Sequence, residues 1–153
     1  MKRWEIDAVG RQHLKLNDVE VPKPGPKEVL IKVNAVALNY RDKMVVETGR
    51  GLPLTFPFTP GSDLAGEVVG LGQGASRLRL GSNVISTATP DWIDGLRDGT
   101  ARTPAYQTLG GFYPGVLAEY VAMPEDWFVV APETLTARQA CTLPVAGLKI
   151  GRA

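Results

Sequence analysis

Glycine and proline interrupt this chain at short intervals and so limit the length of any helix or strand. The 153 residues include 17 glycines and 12 prolines. Proline removes a backbone donor and glycine loses the most conformational freedom on folding, so both concentrate in turns. Frequent turns favour many short strands over long amphipathic helices. We therefore expect a mainly β fold with short helices.

Alternating polar and apolar residues predict where the strands lie. The clearest alternation covers residues 28–38 and places on one face Val29, Ile31, Val33 and Ala35. Further strands are predicted at residues 2–7, 13–21, 64–71, 83–87, 116–123 and 127–130. Loops at residues 49–60 and 90–114 separate some of them, and the longer loop has the length of a functional one. The pattern as a whole predicts a partly open β-barrel.

Two short helices are expected beside the strands. Residues 39–47 break the strand rhythm and predict one or two helical turns. Thr136 and Gln139 have the spacing of a capping box, in which two side chains satisfy backbone N–H groups at the start of a helix. A second helix should therefore begin after Thr136.

Charge and composition argue against several kinds of partner. The net charge of +1 predicts no strong attraction to nucleic acid or to an anionic membrane. No stretch approaches the roughly 20 apolar residues of a membrane helix, and the first residues lack the apolar run of a signal peptide. The single cysteine, Cys141, cannot form an internal disulfide, so we expect a cytoplasmic protein.

The segment Gly70-Leu71-Gly72-Gln73-Gly74-Ala75 has the shape of a dinucleotide-binding fingerprint. Such a fingerprint must open a helix of about three turns, on which the pyrophosphate rests. Only residues 76–80 separate the segment from the next turn, at Gly81 and Ser82. We therefore interpret these glycines as a turn between strands that uses positive φ angles.

Five segments, in order along the chain, resemble those of the medium-chain dehydrogenases/reductases. PGPKEVLIKV at residues 24–33 resembles an early strand of that family, and ALNYRD at 37–42 resembles the start of its substrate-side helix. PGSDLAGEVV at 60–69 resembles its P-G-x-[DE]-x-[AS]-G-x-V segment. GVLAEYV at 115–121 resembles a G-x-x-A-E-Y strand, and LPVAGL at 143–148 resembles the connector into its nucleotide-binding domain. The resemblance implies a GroES-like barrel over residues 1–133 and a helical connector over 134–153.

The resemblance also indicates a branch of the family that works without zinc. The zinc enzymes carry a Cys where this chain has Asn39, and a His-Glu pair where it has Ser62 and Asp63. Catalytic zinc takes about three Cys, His or carboxylate ligands, and Asn39 and Ser62 replace them poorly. The four clustered cysteines of the zinc enzymes' long loop are missing from residues 91–114. We expect no metal site, as in quinone oxidoreductases and related reductases.

In that branch hydride passes between NAD(P)H and a C=O or C=C group, and the nicotinamide supplies the chemistry. The resemblance places Asn39 beside nicotinamide and substrate, which makes it a catalytic and a cofactor-binding candidate. Tyr40 and Asp42 are further catalytic candidates in the cleft. Ser62 and Asp63 are cofactor-binding candidates on the opposite wall.

Each candidate also has a purely structural interpretation. Asn39 is an effective helix cap, which is compatible with contact to a cofactor. Tyr40 is more simply a packing residue with a solvated hydroxyl, and Asp42 a carboxylate paired with Arg41 or a backbone amide. Asp63 lies among apolar neighbours, so its burial would require a partner. Two other reactive side chains are assigned no role, an inert core thiol and a surface imidazole: Cys141 and His13.

The favoured hypothesis is the substrate-side domain of an NAD(P)H-dependent oxidoreductase without zinc. The chain alone would then bind the nucleotide weakly, be inactive, and self-associate through the face meant for the missing nucleotide-binding domain. A stand-alone GroES-like barrel that binds a partner without catalysis is the alternative, but it has no need of the connector. An alcohol dehydrogenase with unusual zinc ligands ranks third.

Overall fold

The computed structural model describes residues 1–90, 92, 94–95 and 107–147, and within them the fold is mainly β. Two short antiparallel strands, β1 (Lys2–Ile6) and β2 (Leu14–Asp18), form a separate ribbon. The main antiparallel sheet has five strands in the order β6-β3-β4-β5-β7. Its members are β3 (Glu28–Ala37), β4 (Asp63–Leu71), β5 (Asn83–Ser86), β6 (Tyr120–Pro124) and β7 (Phe128–Val130).

The helices are short, as expected. Helix α1 (Tyr40–Thr48) follows β3, and α2 (Ala137–Ala140) follows β7. Thr136 caps α2 and its backbone N–H donates to Gln139 Oε1 at 3.0 Å, so the predicted capping box is confirmed. A wide π-helical turn, Leu143–Gly147, comes next. Among the described residues, no helix has the length and apolar character that crossing a bilayer demands.

The predicted fold class is confirmed, and the sheet is open because β6 and β7 form its two edges. Its main core is formed mostly by residues of β3, β4 and β5 together with residues at the corner between β6 and β7. The largest side chains of this core are wholly or almost wholly buried: Val29, Ile31, Leu64, Val68, Val84, Leu109, Val116 and Phe128. The strands predicted at residues 28–38, 64–71 and 83–87 therefore supply five of these eight side chains.

The predicted faces of β3 are wrong in one place, at Ala35. Its pairing with β4 shifts between Leu30 and Ile31 and again between Val33 and Ala35. Each shift is a β-bulge, and an extra residue reverses which face the following side chains occupy. Val36 therefore joins the main core, while Ala35 packs in a second cluster with α2.

Three other strand predictions need correction. Residue His13 lies in the 3₁₀ turn Arg11–His13, and β2 ends at Asp18, before the prolines. The strand predicted at 116–123 begins only at Tyr120, because residues 115–117 donate backbone hydrogen bonds to the loop at residues 59–61 instead. Trp127 ends a 3₁₀ turn before β7. Of the predicted loop at 90–114, residues 91, 93 and 96–106 lie outside the described residues.

The glycine segment at residues 70–75 is a turn, as predicted, and β5 rather than a helix is the next element. Only Gly74 uses a positive φ, of 79°. Gly72 is needed for space, since a Cβ there would lie 1.8 Å from the carbonyl oxygen of Gly25. The expectation that positive φ explains all three glycines is therefore wrong: close backbone packing explains Gly72.

A buried carboxylate holds the chain that leaves this turn. Glu125, 7% exposed, lies at the β6–β7 corner, and its Oε2 accepts the backbone N–H groups of Ser76 at 3.0 Å and Arg77 at 2.7 Å. The N–H of Leu78 reaches the same oxygen at 3.4 Å. These bonds join segments nearly 50 positions apart, and the sequence pattern shows no sign of them.

Replacing this carboxylate tests how much the corner depends on it. Glu125→Ala leaves three backbone donors without their acceptor, so we expect the free energy of unfolding to fall by about 2–4 kcal/mol. The neighbouring Asp126 forms only an exposed pair with Arg77, so Asp126→Ala should cost less than about 1 kcal/mol. Urea unfolding measures both, and equal losses would contradict the assignment.

Candidate functional site

The site is built where β3 runs into α1. Asn39 has extended backbone angles (φ −109°, ψ 155°) and is the N-cap of α1. Its backbone N–H donates to Asp42 Oδ2 at 2.8 Å, and the N–H of Asp42 donates back to the Asn39 carbonyl at 3.0 Å. The capping interpretation of Asn39 is thus confirmed, and so is the pairing of Asp42 with a backbone amide.

Three of the predicted residues are linked by hydrogen bonds. Asn39 Nδ2 donates to Ser62 Oγ at 3.4 Å, and Ser62 Oγ donates to Asp63 Oδ1 at 2.7 Å. The other carboxylate oxygen, Asp63 Oδ2, accepts the backbone N–H of Val145 at 3.1 Å. We call these four residues the polar chain; it runs from the start of α1 to the turn after α2.

The middle of the polar chain is inaccessible. Ser62 and Asp63 are each 1% exposed. The Ser86 hydroxyl on β5 donates to the Ser62 carbonyl at 2.9 Å and accepts a hydrogen bond from the N–H of Leu64 at 3.0 Å. These two bonds fix the backbone on either side of Asp63 to β5. Ser62 and Val145 are therefore the hydrogen-bond partners that the buried carboxylate of Asp63 requires.

Asp42 is nearly as buried, at 5% exposed, and its Oδ1 has no hydrogen-bond partner among the described residues. Burial raises the pKa of its carboxyl above the ordinary 3.8. The hydrogen bond from Asn39 and the charge of Arg41 oppose that rise, and the neighbouring Asp63 carboxylate adds to it. The pKa of this group is thus raised despite two favourable contacts.

Tyr40 is not part of the polar chain. Its side chain is 74% exposed, with Lys43 Nζ 5.8 Å from the ring centroid. The packing role expected for it is therefore wrong, because the first turn of α1 directs this residue outward. Leu38, on the other side of Asn39, is 71% exposed. Two large apolar side chains thus flank the half-buried Asn39.

Arg41 is a contributor that the sequence did not reveal. Its guanidinium donates to the Leu109 carbonyl at 3.1 Å and to the Thr108 hydroxyl. These bonds attach α1 to residues almost 70 positions later in the chain. The sequence suggested Arg41 only as a possible partner of Asp42 and gave no sign of its contacts with Thr108 and Leu109.

The remaining reactive side chains lie elsewhere. Cys141 is buried, its Sγ donates to the Arg138 carbonyl at 3.3 Å, and burial raises the pKa of its thiol. That environment disfavours the reactive thiolate, in line with an inert core cysteine. His13 Nδ1 lies 2.7 Å from Asp7 Oδ1 near the surface.

Comparison with known proteins identifies the family. The chain matches the alcohol dehydrogenase GroES-like domain over residues 25–133, and it belongs to that family. A solved structure of a protein assigned as an alcohol dehydrogenase from Sinorhizobium meliloti 1021 is 54% identical, with a TM-score of 0.91, over 96% of this chain and 43% of the other. The resemblance to medium-chain dehydrogenases/reductases is confirmed.

Two curated relatives are named as two different kinds of protein, one as alcohol dehydrogenase-like and one as a quinone oxidoreductase. A zinc-type alcohol dehydrogenase-like protein of Schizosaccharomyces pombe is 34% identical over 140 residues, covering 91% of this chain and 40% of the relative. A chloroplastic quinone oxidoreductase of Triphysaria versicolor is 35% identical over 144 residues, covering 92% and 36%. The chain thus spans well under half the length of the relatives it matches.

The raised pKa of Asp42 predicts how stability depends on pH. Between the ordinary pKa and the raised one, the folded chain binds more protons at Asp42 than the unfolded chain, so the free energy of unfolding falls as pH rises. Asp42→Asn removes that titration, and its free energy of unfolding should fall less between about pH 4 and pH 7. Urea unfolding across this range tests it, and parallel pH profiles would contradict burial as the dominant influence.

Proposed function

We propose that this chain is the substrate-side domain of an NAD(P)-dependent oxidoreductase that transfers hydride to or from a C=O or C=C group. Membership of the alcohol dehydrogenase GroES-like family, with relatives named as alcohol dehydrogenase-like proteins and quinone oxidoreductases, supports an oxidoreductase. Alcohol, aldehyde and quinone substrates accord with those names, and enones are a further class that the family resemblance implies. The domain covers residues 1–133, and residues 134–153 lead into a nucleotide-binding domain.

The exposed surface around Asn39 is the observation that carries the proposal. Leu38 and Tyr40 are mostly solvent-exposed on either side of a half-buried amide. Exposed apolar residues around a polar group are typical of a surface that another domain or a ligand covers. A stand-alone barrel has no evident use for this surface or for the helix that follows Thr136.

The described residues do not fit the phosphates of a dinucleotide. The glycine-rich segment at residues 70–75 packs Gly72 against the backbone of Gly25, where not even a Cβ has room, and the next element is strand β5 rather than a helix. A phosphate site of the usual kind needs a helix N-terminus. In the proposed protein the second domain therefore holds the phosphates, and the nicotinamide, once bound, supplies the hydride chemistry.

The residues of this chain then have distinct tasks. Asn39 contacts the nicotinamide or substrate, and its amide is oriented by donation to Ser62. Asp42 holds the backbone of Asn39 and so fixes the start of α1. Tyr40 is an accessible candidate proton donor beside Asn39, since its side chain is largely exposed. Ser62 and Asp63 are buried, and they support from the protein interior the side of the site that faces the cofactor.

We also propose that the reaction needs no zinc. The donors gathered near Asn39 are an amide, a hydroxyl and carboxylates, whereas zinc sites use thiolates, imidazoles and carboxylates in sets of three or four. Within the described part of the chain, no three His, Cys, Asp or Glu side chains are grouped to hold a metal. A cytoplasmic location and the lack of nucleic-acid or membrane partners stay predictions, as does self-association.

Titration with NADPH tests the division of labour. Quenching of Trp4, Trp92 and Trp127 should show no saturable binding by the 153-residue chain, because the phosphates find no site on it. The longer protein should bind in the micromolar range, worth about 8 kcal/mol. Tight binding by the short chain would contradict the interpretation of Gly70–Ala75 as a turn.

Two control measurements separate the alternatives. If no longer protein is produced and the chain binds no nucleotide, the stand-alone barrel becomes the better explanation. Equilibrium dialysis of the same samples against zinc should show no tight binding at one equivalent. Tight binding would instead support an alcohol dehydrogenase with unusual zinc ligands.

A further inference from the structure

The sheet has two differently built faces, and Asp63 lies on the face toward the connector. Directly paired residues in an antiparallel sheet share a face. Asp63 pairs with Ala37, and Ala65 pairs with Ala35. These alanines pack in the cluster that contains Ala140 and Cys141, whereas valines and leucines fill the opposite face. Asp63 is therefore the polar member of an otherwise small and apolar surface.

The connector packs on this surface through apolar residues, several of them small. Ala137 and Ala140 of α2, with Leu143 after them, pack on the alanine face. Apolar contact of this kind is non-directional and does not set the register of one element on another. A hydrogen bond does set it, and the bond from Val145 N–H to Asp63 Oδ2, 3.1 Å long, joins residues 82 positions apart.

The surroundings of Val145 make this bond necessary. Val145 follows the buried Pro144, which has no N–H, in the first part of the Leu143–Gly147 turn. Backbone N–H groups at the start of a helical turn lack an acceptor within it. Asp63 Oδ2 supplies the acceptor, while its other oxygen, Oδ1, accepts a hydrogen bond from the Ser62 hydroxyl.

We propose that Asp63 is a positioning residue that fixes the connector to the substrate-side sheet through Val145 and, through Ser62, sets Asn39 relative to the connector. This inference rests on the proposed function, since only a two-domain enzyme requires its connector held in register with the site. Asp63 acts through its neighbours, because at 1% exposure it has almost no surface to offer a ligand.

Amide hydrogen exchange of the 153-residue chain, followed by NMR, tests the proposal at the atom concerned. The Val145 amide should be protected in the unsubstituted chain. Asp63→Ala should speed its exchange by at least about tenfold relative to the β3 amides, which report global unfolding. Asp63→Asn keeps a side-chain carbonyl oxygen for Val145 and can donate to Ser62, so it should restore most of the protection.

Ser62→Ala is the matched control. It removes the hydroxyl that Asn39 and Asp63 share but leaves the bond to Val145, so Val145 exchange should stay within about twofold of the original. The proposal would be overturned if Val145 lost as much protection in Asp63→Asn and Ser62→Ala as in Asp63→Ala. Equal losses would show that any substitution here loosens the structure in general.

The unsubstituted chain decides the matter if Asp63→Ala does not fold. If the Val145 amide is protected in the unsubstituted chain and stays protected in Asp63→Asn, the assignment is supported. If the Val145 amide of the unsubstituted chain is not protected, the assignment is overturned. Failure of the longer protein to bind NADPH would count against the proposed function alone, because the exchange measurement needs no nucleotide.

Discussion

The antiparallel pairing of β3 with β4 is the constraint on which the other features of this molecule depend. It joins the two longest strands, which supply four of the buried residues of the main core on one face and most of the sheet surface beneath the connector on the other. At its far end Ala37 pairs with Asp63, so the residues just beyond, Asn39 and Ser62, come within hydrogen-bond distance. The candidate site is therefore a product of strand register.

The two bulges in this pairing offset each other. One adds Val69 on β4 and the other adds Asn34 on β3, so the register at Ala37 and Asp63 is the same as at the start of the sheet. Gly66 lies at the second bulge, where a Cβ would come within 2.5 Å of the Lys32 carbonyl oxygen. The extra residue on β3 reverses the alternation of that strand, which turns Ala35 and Ala37 to the same face as Ala65 and Asp63 of β4, toward the connector.

Much of this arrangement could be predicted from sequence, and the limits have physical causes. Local patterns located β3, β4 and both helix caps, because periodicity and capping depend on residues only a few positions apart. The reversal at Ala35 was missed because a bulge arises from pairing with a distant strand. Arg41 with Thr108, Glu125 with the 76–78 amides and Asp63 with Val145 were missed for the same reason. Their side chains act across 47–82 positions, where no local pattern reports them.

The same contacts explain why the buried carboxylates are tolerated. Glu125 and Asp63 are each satisfied by hydrogen bonds from backbone amides or a hydroxyl, which offset the cost of taking a polar group out of water. Among the described residues Asp42 is hydrogen-bonded at one oxygen only, and its burial raises the pKa of its carboxyl. Of these three carboxylates, the one with an oxygen unpaired in the described part of the chain is thus hydrogen-bonded to the backbone of Asn39, at the proposed reaction site.

Hydride transfer by a chimera tests the central claim most directly. The chimera would carry this chain through Gly147, followed by the remaining part of the Sinorhizobium meliloti relative, and NADPH oxidation would be followed with quinones, enones and aldehydes. Our account predicts oxidation with at least one of these substrates, and its loss in the Asn39→Ala chimera. A folded chimera that binds NADPH yet oxidises it with none of them would show that this chain is not the substrate side of a reductase.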